Sequence, residues 1–233
     1  MTVNVEMDIG RQATGLLAAL GALIYAVGDV LLLAGRANIA DYPRLQPHAK
    51  LLSGAEKMAA LSWKRLMWGG LLGVFATPLV LAGFWRVYQG LTPAGAWLAL
   101  PPFLLFACAS IVGAFVHGSF IYLGEYVQAL NAVPAESQPV ILGMFTRHKQ
   151  IMVITYAFLL GAILAASIWY SVAVGLGGTL FPRWMAAVNP VTAFAAWMLL
   201  KRVLPKVVTQ ATEGAGFNIA YLIFFACVTI TLW

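Results

Sequence analysis

Three ionisable side chains fall inside long apolar stretches of this sequence: Asp29, His117 and Glu125. A charge in hydrocarbon is expensive, so such residues face a bundle interior or a wet cavity and pair with one another. Histidine changes charge near neutral pH, and a carboxylate beside it can take or return the proton. Asp29 and His117 are therefore the candidate acid/base pair, with Glu125 at the entrance to their site. The same chemistry serves an enzyme or a coupled transporter. One histidine and two carboxylates lack the closely spaced histidines of most transition-metal sites. There is no phosphate-cradling loop, nucleophile elbow or Cys-His pair. No metal and no cofactor is expected.

Spacing decides which residues can act together. On a helix, Gly21, Tyr25 and Asp29 share a face, as do Ser110, Gly113, His117 and Gly124. Glu125 is eight residues beyond His117, about 80° round the helix and 12 Å along it. It can line only a different level of one cavity. With about 1.5 Å of rise per residue, Asp29 lies roughly 9 Å, Glu125 about 3 Å and His117 about 15 Å from the membrane face they approach. If their helices are neighbours, they form a polar ladder. Asn218, Tyr25, Tyr122 and Tyr221 fall at similar depths and are candidate substrate-binding groups, with Tyr126 and Tyr156 as further hydroxyls. Asn189 precedes Pro190 and is expected to satisfy carbonyls freed by a kink.

Those positions need helices to hold them. The chain is 62% hydrophobic and only 9% charged, against about 25% charged in a soluble domain. Too little polar surface exists to cover a water-soluble globule of 233 residues. The uncharged runs Val87–Gly124 and Gln150–Pro182 exceed the roughly 20 residues that a membrane crossing needs, and they lack strand-like alternation. The sequence predicts a single all-α transmembrane bundle of six spans, at about 12–35, 66–88, 97–127, 150–172, 183–201 and 215–233. Pro78 and Pro190 predict kinks in the second and fifth. The acidic start (Glu6, Asp8) and the length of the first apolar segment argue against a signal peptide. Cys108 and Cys227 sit in apolar segments and read as small packing residues.

Eleven of the fourteen basic residues fall in the first, third and fifth loops: Arg36, Arg44, Lys50, Lys57, Lys64, Arg65, Arg147, Lys149, Lys201, Arg202 and Lys206. The positive-inside rule makes those loops cytoplasmic and leaves both termini outside. A multi-pass protein of a bacterial inner membrane is expected, and topology accounts for the net charge of +6. No charge pattern suggests nucleic acid. Lys50, Lys57 and Lys64 recur every seven residues and predict an amphipathic helix on the membrane surface, its basic face drawing anionic head groups. Pro139–Phe145 is expected to dip into the interface before the fourth span.

The run Tyr25–Leu33 and the later run Phe115–Tyr122 resemble an uncharacterised family of small six-span bacterial membrane proteins. Gly28-Asp29, with a later His and Tyr, is also locally similar to the membrane lysoplasmalogenases. That second likeness covers two short segments, and those enzymes resemble eight-span proteins, so it implies only a role for Asp29.

The leading expectation is a membrane enzyme using Asp29 and His117 on a lipid or isoprenoid-like substrate, with Lys50, Lys57 and Lys64 holding its head group. The alternatives are a small-solute or proton-coupled transporter, and a scaffold whose flat apolar faces are covered by an oligomer or partner.

Overall fold

Long runs of Leu, Ala, Val and Gly without charge satisfy their backbone groups as helices. In a computed structural model of the chain, residues 2–35 and 37–233 are described, with side chains from residue 12 onward. The helices are α1 (Thr2–Leu33), α2 (Ala49–Leu52), α3 (Trp63–Leu91), α4 (Ala96–Ala132), α5 (Gln138–Leu176), α6 (Pro190–Leu200), α7 (Lys206–Ala211) and α8 (Gly216–Thr231). The described residues contain no strand. The acidic residues Glu6 and Asp8 and the basic Arg11 have undescribed side chains, and Arg36 lies outside the described residues.

Four segments are long and apolar enough to cross a membrane: Gln12–Leu33, Trp63–Ala94, Ala96–Ala132 and Ala135–Leu176. They mark the chain as a helical membrane protein. The last two expected spans are shorter. α8 has 16 residues and α6 has 11, or about 24 and 16 Å of helix, against a hydrocarbon core of about 30 Å. The expected fifth span is broken. Residues Arg183–Ala187 form a 3-10 turn, and Asn189 then caps α6 by accepting from the Val191 and Thr192 amides. Pro190 opens this helix rather than kinking one, because a helix start leaves no carbonyl for its missing N–H. Asn189 therefore satisfies amides, not freed carbonyls.

The first loop also departs from expectation. It is no continuous amphipathic helix but α2 with 3-10 turns at Ile39–Asp41, Gln46–His48 and Glu56–Ala60. Gly54, at φ +90°, turns the chain where a helix would have continued. Lys50 lies in α2, Lys57 in a 3-10 turn and Lys64 in α3, so the heptad spacing does not place them on one face. Pro139–Phe145 forms the first turns of α5, continuous with the rest of that helix.

The helices pack as a ring in chain order. α1 lies on α3, α3 on α4 and α4 on α5. α5 meets the 183–187 turn and α6, α6 lies on α8, and α8 returns to α1. α1 and α4 face one another across the interior, and α8 meets α5 and α4 through the Phe224 ring, which lies against Tyr170 and Phe106. Two apolar clusters fill the two ends. One is aromatic, with Phe84, Phe106, Tyr170, Phe224 and Phe225 all buried. The other joins the first loop to the bundle through Leu45, Leu52, Met58, Leu66, Leu130 and Phe145.

Candidate functional site: a buried Asp29–His117–Asn218 cluster

Between those clusters lies a cavity of about 70 Å³, lined by Tyr25, Asp29, Ser110, His117, Tyr156 and Asn218 among others. That volume holds a few waters, since one needs about 10–15 Å³ by this measure. Asp29 comes from α1, His117 from α4 and Asn218 from the first turn of α8. All three are buried, at 6%, 6% and 9% exposure. His117 Nε2 is 3.0 Å from Asp29 Oδ1, and Asn218 Nδ2 donates to Asp29 Oδ2 at 2.6 Å. Both carboxylate oxygens thus face a nitrogen, as a carboxylate in this setting requires.

The His117 contact is electrostatic rather than a fully aligned hydrogen bond. By geometry neither ring nitrogen has a hydrogen-bond partner among the described residues. The ring is pressed against α3, where a Cβ on Gly73 would overlap it. On the other side, a Cβ on Gly28 would come within 3.1 Å of His117 Cε1 and 2.7 Å of the Gly69 carbonyl oxygen. Glycine at 28 and 73 lets three helices close around one imidazole. Nε2 is the ring nitrogen on the side of Asp29, so a proton carried there faces the carboxylate.

Tyr25 sits one turn before Asp29, its ring edge-on to His117 with centroids 5.0 Å apart. Thr77 Oγ donates to the Gly73 carbonyl at 3.0 Å. The Tyr25 hydroxyl, 2.5 Å from Thr77 Oγ, must then be the donor in that pair. This chain ties α1 to α3 just before Pro78.

The structure brings together Asp29, His117, Asn218, Tyr25 and Tyr221. It does not bring in Glu125 or Tyr122, which are exposed. On α4 they stand about 80° and 140° round from His117, so an entrance role for Glu125 finds no support in its position. Lys50 and Lys64 do not line the cavity, and Lys57 reaches its rim through Glu213, the neighbour of the lining residue Gly214. Lys57 pairs with Glu213 at 2.8 Å. Cys108 and Cys227 are free thiols. Thr77 was not foreseen, and its only signal is its place before Pro78. Asn218, expected as a substrate-binding group, lines the cavity and donates to the Asp29 carboxylate.

This arrangement can hold one proton between a carboxylate and an imidazole and pass it to a group in the cavity. The chain belongs to a family of unknown function (DUF6796), whose model matches residues 7–233. That match carries no lysoplasmalogenase activity with it. No curated protein and no solved structure matches the chain.

Proposed function

We propose that this member of an uncharacterised family is a membrane-embedded enzyme that uses the Asp29–His117 pair for acid–base chemistry on a lipid or isoprenoid-like substrate. The observation that carries this reading is the pair's setting: a small, mostly apolar cavity with a few polar groups, backed by packed aromatic rings. Tyr156 of α5 and Gly214 of the turn before α8 line the cavity and are exposed. A substrate would present its polar end to the cavity and leave its apolar part between the helices. Asp29 and His117 would share the transferred proton, Asn218 would hold the carboxylate in position, and Tyr25 would pack the imidazole. In this reading the chain crosses the membrane six times, with both termini outside. α8, together with α6 and the turn before it, closes a ring that the four long helices would leave open.

The test uses the full chain in nanodiscs made from a total bacterial lipid extract, followed by mass spectrometry of the lipids. The expectation is one lipid class converted by the wild type and spared by Asp29→Asn and by His117→Ala. Conversion that survives both substitutions overturns the reading. The cavity's small size also favours a second one, proton-coupled movement of a small solute. Proton flux in proteoliposomes that disappears in Asp29→Asn, without any lipid conversion, would select it.

A further inference from the structure

We infer that a groove between α2 and α5 binds the phosphate of an anionic glycerophospholipid. The groove is shallow and open, about 470 Å³ in volume, and shares no lining residue with the buried cavity. Lys50, Thr146, Lys149 and Gln150 stand around it, and Val153 and Ile154 continue it along α5. Among the described residues no acidic side chain lines it.

The two lysines differ in a useful way. Lys149 Nζ donates to the Leu51 carbonyl at 2.6 Å, and Phe145 lies beneath it at 5.8 Å. That fixes the ammonium and leaves its other N–H groups to donate elsewhere. Lys50 is exposed and has no acceptor among the described residues. Two ammonium groups and the Gln150 amide form a donor set suited to phosphate oxygens, whereas the Thr146 hydroxyl gives its proton to the Leu142 carbonyl at 2.7 Å.

The apolar floor identifies the source of that phosphate. Val153 and Ile154 are 60% and 69% exposed, and they lie on the membrane-crossing helix α5. A free phosphate makes no use of them, whereas a glycerophospholipid lays an acyl chain there. Basic residues next to a span attract anionic lipid by roughly fivefold per lysine. The groove also leads toward the cavity. Lys149 and Tyr156 are seven residues apart, on one face of α5 and about 10 Å along it, and Tyr156 lines the cavity. Binding here does not depend on catalysis, so the site stands if the enzymatic reading falls.

The test is native mass spectrometry of the full chain in detergent, with phosphatidylglycerol and phosphatidylcholine in equal amounts. The expected result is preferential retention of phosphatidylglycerol. Lys50→Gln should weaken it about fivefold and the Lys50→Gln/Lys149→Gln pair about 25-fold, with phosphatidylcholine unchanged. Lys50→Gln breaks no bond within the chain, so it remains readable if the double variant misfolds. Equal retention of the two lipids, or no loss in Lys50→Gln, overturns the inference. Displacement of phosphatidylglycerol by millimolar inorganic phosphate also overturns it, by assigning the donors to free phosphate.

Discussion

The two ends of the bundle are closed by different forces. At one end, rings meet rings: Phe84 stacks on Phe106 at 4.3 Å and meets Phe225 edge-on at 5.0 Å. At the other end, polar side chains reach backbone carbonyls. Gln128 donates to the Met58 and Leu61 carbonyls, Arg65 to those of Leu31 and Val30, and Gln138 to that of Leu130. In lipid, burying a ring gains little over leaving it among acyl chains, so fit and dispersion must hold the aromatic end. At the loop end the last carbonyls of α1 and α4 have no helical partner and need a donor. The acid–base cluster lies where these regimes meet. It depends on a third device, glycines that let α1, α3 and α4 approach closely.

The largest effect should come from breaking that third device. Gly73→Val puts side-chain atoms where the His117 ring now lies, so the ring must leave its place or α3 must move off α4. The variant should fail to give monodisperse protein in detergent. Gly161, on α5, has nothing within 4 Å of an added Cβ, so Gly161→Val should behave as wild type by size-exclusion chromatography. Equal behaviour of the two would mean that the close approach does not hold the helices.

A matched deletion sharpens the contrast between the ends. Phe145 and Phe84 are both fully buried, the first in the loop-end cluster and the second in the aromatic one. Phe145→Ala combines a lost transfer term with a cavity, about 3–5 kcal/mol in water-facing cores. Phe84→Ala keeps chiefly the packing loss, because an opened bundle leaves the ring in lipid. Tryptophan-fluorescence melting should therefore show the larger drop for Phe145→Ala. The reverse order would show that the aromatic end carries the stability.

The same contrast explains what could be read from the sequence. Asp29 and His117 stood out because a charge is rare in an apolar run, and the geometry pairs them. Gly21, Tyr25 and Asp29, like Ser110, Gly113 and His117, needed only helical spacing. Thr77 was silent, since a hydroxyl in a span commonly bonds its own helix and only the neighbouring chain reveals Tyr25 as its second partner. The 25–29 and 117 positions could be assigned to helices, but not to neighbours. The ring order depends on side-chain fit that no periodicity encodes. Lys50, Lys57 and Lys64 misled because a heptad implies a helix only where the backbone continues as one, and Gly54 turns it. Asn189-Pro190 misled because the same dipeptide can kink a helix or begin one, and only the 3-10 turn before it distinguishes the two.

The smallest expected effect tests whether the loop end is held by charge or by shape. Arg44 places one nitrogen, Nη1, near three carbonyls at the end of α4: Asn131 at 3.2 Å, Ala132 at 3.1 Å and Val133 at 3.4 Å. A cation there satisfies helix-end acceptors and opposes the negative end of the helix dipole. Arg44→Ala should cost about 1 kcal/mol, and the loss should shrink in high salt because the side chain is exposed. Because a single nitrogen makes all three contacts, the flat guanidinium fork is not needed. Arg44→Lys should recover most of the stability in the same melting experiment, whereas at a bidentate site lysine would fail. A full loss in Arg44→Lys would mean that the loop end, like the aromatic end, is held by shape, and the difference between the two ends would disappear.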